Sequence, residues 1–176
     1  RQSVLEDSQQ PGADFVSEYF PGDDDGPLHK SGDWVEYQDN GVGYLGDLRA
    51  TLGNFTTTGG VKKTARYRWL WAPRAVDTTA NAFSDFFALV DAHNQSSAAL
   101  YQSQMSALVD VPSWMRAQAV QRIAGNWDTW GWSIGKNMYV YKPSGGRWAM
   151  IPWDIDFGLG LAPGDRPGCA RHRVPR

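Results

Sequence analysis

Residues 138–151 leave the chain little choice but to double back on itself. Met138-Tyr139-Val140-Tyr141 alternates bulky side chains as a strand does, Pro143-Ser144-Gly145-Gly146 supplies turn residues, and Arg147-Trp148-Ala149-Met150-Ile151 returns. Pairing Lys142 with Arg147 sets Asn137 opposite Pro152. In that register Asn137 stands at the same open end as Trp153, Asp154 and Asp156. Asp128 enters from the loop just upstream, so an amide and three carboxylates converge on one mouth.

Three amphipathic helices are expected ahead of the hairpin. Asp77 to Thr79 offers an N-cap for the first, whose stripe is Phe83, Phe86, Phe87 and Val90, ending near His93-Asn94. Ser96 or Ser97 caps the second, which carries Leu100, Tyr101, Met105, Leu108 and Val109. Asp110 and Pro112 open the third, Trp114, Met115, Ala119 and Ile123 form its stripe, and Gly125 is its stop. The Phe and Met stripes read as core, as do most of the nine Trp.

Further upstream, Leu28, Trp34, Val35 and Tyr37 suggest two short strands about a Ser31-Gly32-Asp33 turn, and residues 53–62 form a Thr/Gly loop. Residues 65–71 set Tyr67, Trp69 and Trp71 against Arg66 and Arg68, the alternation of a strand ending at Pro73. Residues 1–26 read as a flexible polar linker, because the run Asp23-Asp24-Asp25 lacks the downstream Glu of a calcium loop. Residues 161–176 are basic, rich in Pro and Gly and without periodicity, so they read as a disordered or truncated tail. The fold class is α+β.

Composition excludes several functions. A chain of 176 residues, 41% hydrophobic and 20% charged, suits one globular domain. A formal charge of -2 with a pI near 5.9 argues against nucleic acid and against polybasic membrane binding. No apolar run approaches the roughly 18 residues of a membrane span. Cys169 is the single cysteine, so no internal disulfide and no Cys-based zinc site can form. His29, His93 and His172 show no ligand spacing.

Asp128, Asn137, Asp154 and Asp156 are hard oxygen ligands, the kind that suit Mg²⁺ or Mn²⁺ with the remaining positions filled by water and phosphate. Phosphoryl transfer calls for such cations and for a carboxylate that receives or orients the attacking hydroxyl. Protein kinases present these parts in the order catalytic Asp, metal-binding Asn, hairpin, metal-binding Asp. The same order runs here, and Asp156-Phe157-Gly158 spells the kinase tripeptide.

Three elements carry a family resemblance: Asn126-Trp127-Asp128, Asn137-Met138-Tyr139-Val140-Tyr141 and Pro152-Trp153-Asp154-Ile155-Asp156. The stretch resembles the CotH kinase family, spore-coat protein H-like atypical protein kinases. Residues 110–160 carry the match, with Gly26-Pro27-Leu28-His29-Lys30 and Val109-Asp110-Val111 as further landmarks. The resemblance implies part of an atypical protein-kinase-like fold over residues 27–160, a helical segment followed by the catalytic hairpin. It implies ATP and Mg²⁺ or Mn²⁺ as cofactors, a protein Ser/Thr or the chain itself as phosphoacceptor, and a secreted or spore-surface location. By analogy Asp128 is the catalytic Asp, Asn137 and Asp154 ligate metal, and Asp156 is a neighbour or second ligand.

Two departures bear on the transfer. Nine residues separate Asp128 from Asn137, against about five in the usual kinase loop, so the extra stretch TWGWSIG has to loop out. No Gly-rich phosphate loop is visible either. Lys30 and Lys136 are the candidate phosphate-gripping lysines, with Lys62 and Lys63 behind them, and Trp153 is a candidate either for stacking on adenine or for packing beneath the site. The leading function is an ATP-dependent protein kinase, with the activity of the chain as it stands left open. The alternatives are a non-catalytic surface or coat protein that binds carbohydrate or protein, and a metal-dependent phosphate-ester hydrolase.

Overall fold

The computed structural model describes residues 9–37, 44–74, 82–132 and 135–155. Its centre is an antiparallel sheet of four strands in the order β4-β1-β5-β6, where β1 is Leu28–Ser31, β4 Trp71–Arg74, β5 Met138–Tyr141 and β6 Ala149–Pro152. Strand alternation gives this sheet two coated faces. His29, Trp71, Met138, Val140 and Met150 point to one side, and Leu28, Tyr139 and Tyr141 to the other. A separate two-stranded sheet pairs β2 (Asp33–Tyr37) with β3 (Tyr44–Arg49). Both strands expected around Gly32 therefore exist, but they belong to different sheets.

The three expected helices are present. α3 (Ser84–His93) buries Phe86, Leu89 and Val90 on the sheet, with Phe83 buried at its cap. The proposed Asp77–Thr79 cap lies outside the described residues. Ser97 caps α4 (Ala98–Leu108) by accepting from the Leu100 amide, and Asp110 caps α5 (Val111–Ile123) by accepting from the Ser113 amide. Gly125 follows α5 at φ 69°, the left-handed stop that glycine supplies without steric cost.

Several expectations are corrected. Residues 65–71 are not a strand: Thr64–Leu70 forms helix α2, and only at Trp71 does β4 begin. Tyr67, Leu70 and Trp71 are buried at helical spacing, whereas Trp69 is 56% exposed, so the apparent aromatic alternation mixes a core face with a solvent face. The stripe assigned to α5 is also wrong in part. Trp114 is buried, but Met115 and Ile123 face solvent at 64% and 87% exposure, and the buried face continues through Gln121. On α4, Leu100 and Tyr101 are likewise exposed, while Met105 and Leu108 pack against the core.

The polar segment ahead of residue 27 is not a linker over its described part. Ala13–Tyr19 forms α1, whose Val16 is fully buried against Leu28, Tyr139 and Tyr141 with Phe15 and Phe20 beside it. The acidic run grips the hairpin turn: Asp23 accepts from the Ser144 and Gly145 amides, and Asp25 from the Ser144 hydroxyl. Gly26 lets this crossing happen, since a Cβ there would meet the Lys142 carbonyl oxygen at 1.9 Å.

The hairpin itself is one residue out of the expected register. Met138 pairs with Pro152 and Tyr141 with Ala149, so Asn137 stands opposite Trp153, whose amide donates to the Asn137 carbonyl (3.2 Å). Trp148 explains the slip. Its amide donates to Leu108 O (2.8 Å), and its carbonyl accepts from the Asp110 amide (3.1 Å) and the Trp114 indole (2.9 Å). Those bonds tie Trp148 to the start of α5, and its fully buried ring anchors it there.

Candidate active site

Asp128 sits in the loop that α5 delivers. Gly125 turns the chain, the Asn126 amide returns to Gln121 O (3.0 Å), and the loop then passes Asp128, Thr129 and Trp130. At its far end Gly135 slips past β3, where a Cβ would lie 2.3 Å from the Ala50 amide nitrogen. Only glycine passes so close, which fixes where Lys136 and Asn137 re-enter the sheet.

The nine-residue interval closes into a tight contact. Asn137 Nδ2 donates to the Asp128 carbonyl (2.7 Å) and to its carboxylate Oδ2 (3.0 Å). Both residues are buried, at 6% and 4% exposure. Lys136 Nζ lies 3.4 Å from the same Oδ2, its own side chain 42% exposed. A cation at the rim thus faces a carboxylate that is almost closed off from water.

Of the extra residues, Thr129 is buried, Gly131 and Trp132 are exposed, and 133–134 lie outside the described residues. Trp130 turns inward, its indole N–H donating to Ala50 O (2.8 Å) and its ring set edge-on to Trp71 and Trp114. Trp132 lies at the surface under the Arg122 guanidinium, 4.1 Å from its ring centre. Together with Arg49, Leu52 and His93 these Trp residues line a cavity of about 290 Å³. Neither Asp128 nor Asn137 borders it.

Asn137 and Asp154 share an unusual backbone. They have φ of 59° and 56° and are the non-glycine residues at positive φ among those described. Asn and Asp tolerate this left-handed region best, yet it costs energy and gathers at functional positions. Each follows or precedes a strand of the same hairpin mouth, so Asp154 leaves β6 one residue beyond the Asn137–Trp153 pair. Asp154 is exposed, and Asp156 lies outside the described residues.

The other candidates stand further off. Lys30 projects from β1 with its ammonium 5.4 Å from the Tyr139 ring centre, on the face of the smaller core. Trp153 packs edge-on against the same Tyr139 ring (5.9 Å, 85°). Lys62 is held by Asp91 and Asn54. Among the described residues no three His, Cys, Asp or Glu side chains gather closely enough to hold a metal ion.

One participant was not legible from motifs. Gln121, 2% exposed on α5, accepts from Asn126 Nδ2 (2.8 Å) and donates to Thr129 Oγ1 (3.3 Å), bracketing Asp128. Gln118 and Gln121 at i, i+3 on a helix otherwise read by its apolar residues are the signal that could have found it.

A small antiparallel sheet with helices on both faces and an acid–amide pair at its hairpin mouth define the class: a mixed α+β protein with a candidate site of oxygen ligands. The chain belongs to the CotH kinase protein family, whose pattern it matches over residues 28–169. That membership suggests a kinase-like function and association with the spore coat. No curated protein and no solved structure matches the chain significantly.

Proposed function

We propose that this chain carries the catalytic and metal-binding part of a protein kinase site that transfers phosphate from Mg-ATP to a protein Ser or Thr hydroxyl. The observation that carries the reading is the Asn137–Asp128 hydrogen bond, 3.0 Å long and buried, at the mouth of the hairpin that also presents Asp154. It joins the catalytic acid and the metal-binding amide of a kinase across a longer loop than usual, and family membership supports the same assignment.

In this reading Asp128 accepts the proton of the acceptor hydroxyl while that oxygen attacks the γ-phosphorus and the bond to ADP breaks. Donation by Asn137 Nδ2 orients the Asp128 carboxylate and turns the amide oxygen away, toward where a hard cation would be held. Asn137, Asp154 and Asp156 would hold Mg²⁺ or Mn²⁺, which when bound neutralises phosphate oxygens. Oxygen donors in small number fit that ion, which takes few protein ligands and keeps water and phosphate. Lys136 reaches the same space from the rim and would meet phosphate; Lys30 and Trp153 are the further candidates on the nucleotide side. The site is proposed to act at the cell or spore surface.

Titrating Mg-ATP against the full chain and a longer version of it tests this. Binding in the micromolar to millimolar range is expected. Asp128→Asn should slow transfer by about 10²–10⁴-fold, Asp154→Ala should abolish binding or transfer, and Trp132→Ala should leave both intact. Absence of binding with either Mg²⁺ or Mn²⁺ would sink the reading, and transfer to water in preference to protein would favour a hydrolase. The cavity beside Trp130 and Trp132, which Asp128 does not line, favours a second reading as a carbohydrate- or protein-binding coat module. In that case Trp132→Ala would weaken attachment to coat material while Asp128→Asn would not.

A further inference from the structure

We propose that Gln121 is the positioning residue of the Asp128 loop, held on α5 to fix the catalytic carboxylate through its two flanks. This rests on reading Asp128 as catalytic. The loop is gripped by one helix face, residue by residue. Gln121 takes Asn126 by backbone (3.0 Å) and side chain (2.8 Å), and holds Thr129 Oγ1 at 3.3 Å. Gln118 Nε2 donates to Trp130 O (3.3 Å), and Arg122 donates to Gly131 O (2.6 Å). Gln118, Gln121 and Arg122 lie at i, i+3, i+4, so a single stripe of α5 reads the loop from 126 to 131.

Within that stripe Gln121 has no substitute. It is 2% exposed, Asn126 is fully buried and Thr129 is 2% exposed, so water cannot replace the bonds it makes. Its amide oxygen receives an N–H and its amide nitrogen gives one, so the side chain is locked in one orientation. Asn126 Oδ1 is buried without a hydrogen-bond partner, which leaves the bond to Gln121 as the side-chain tether of Asn126 that the structure provides. Asp128 lies two residues after one tether and one before the other. Freed of them, its carboxylate would lose its place against Asn137 without any change in the residues that meet substrate.

The test is Gln121→Met in the full chain, a change that keeps length and removes both side-chain bonds, with Thr129→Val as a milder partner. Hydrogen exchange read by mass spectrometry should rise more than tenfold across residues 126–131 and stay unchanged in β5 and β6. Phosphate transfer should fall at least tenfold in kcat with KM for ATP within about twofold, and the double variant should lose no more than the Gln121 variant alone. Gln102→Met, exposed on α4, should do neither. Unchanged exchange over 126–131, or a rise spread evenly over the domain, would overturn the proposal. If Gln121→Met does not fold, Thr129→Val must still raise exchange in the loop for the proposal to stand. Exchange is read without activity, so an inactive protein, or an Asp128→Asn variant as active as its parent, would fail the kinase reading and leave the tether separately judged.

Discussion

His29 shows how a single side chain can set the solution behaviour of this fold. It lies in β1 with its ring against Phe83, Phe86 and Trp148, 1% exposed. Its Nδ1 donates to Trp71 O (3.2 Å), which leaves Nε2 buried with no partner. Burial disfavours the imidazolium and lowers its pKa to about 4, against a weaker upward pull from the Trp71 carbonyl. The unfolded chain has an ordinary imidazole near 6.5, so it binds the proton first as pH falls. The contribution is complete above pH 6.5 and is lost progressively down to about pH 4. The shift corresponds to a loss on the order of 3 kcal/mol. Urea unfolding at pH 7 and pH 4.5 should show it, and His29→Leu should flatten the difference. Asn137 makes a second residue-scale case, because its φ of 59° separates backbone from side chain. Asn137→Gly should fold at least as well as Asn137→Ala, which carries about 1–2 kcal/mol of left-handed strain. Both should lose ATP-dependent transfer, since both remove the amide; retained transfer in the glycine variant would assign Asn137 a backbone role only.

At the scale of elements, legibility followed whether a local signal had a rival. Ser97, Asp110 and Gly125 were readable because capping is local chemistry, and each does what its type implies. The Tyr67–Trp71 run was misread because alternation of aromatics has no way to declare that Trp69 is left in water. The register slipped because Trp148 answers to Leu108 and Asp110, forty residues upstream, which no hairpin rule contains. Asp128 and Asn137 were legible as a pair through their order; Gln121 was not, because a buried glutamine is visible only once its partners are placed. The run at Asp23 was read as solvated for the same reason. Its carboxylate caps the turn from 121 and 122 residues away, receiving two amides at Ser144 and Gly145. Asp23→Ala should therefore cost about 1–2 kcal/mol, as loss of a charged cap does, and raise hydrogen exchange at 143–147. A melting temperature unchanged by the substitution would return that segment to the role of linker.

For the molecule as a whole, the four-stranded sheet is a wall between two cores of unequal weight. On one side Phe86 touches the rings of His29, Tyr67, Trp71, Phe83 and Trp148, joining α2, α3, β1, β4 and the residue that precedes β6. On the other side Val16, Leu28, Tyr139 and Tyr141 are covered by α1. The Asp128–Asn137 pair hangs from the first core, through α5, Trp130 and β5. Phe86→Ala should thus cost about 3–5 kcal/mol, a large share of the 5–15 kcal/mol that holds a domain of this kind. Its effect should appear as a cooperative loss of structure everywhere, the site included. Val16→Ala should cost about 2 kcal/mol and act mainly on α1 and its hold on the hairpin turn. Hydrogen exchange should then quicken across residues 13–23 while the loop at 126–131 keeps its protection and ATP affinity stays within about twofold. If Val16→Ala weakens the loop as much as α1, the sheet transmits between its faces, and the two cores act as one.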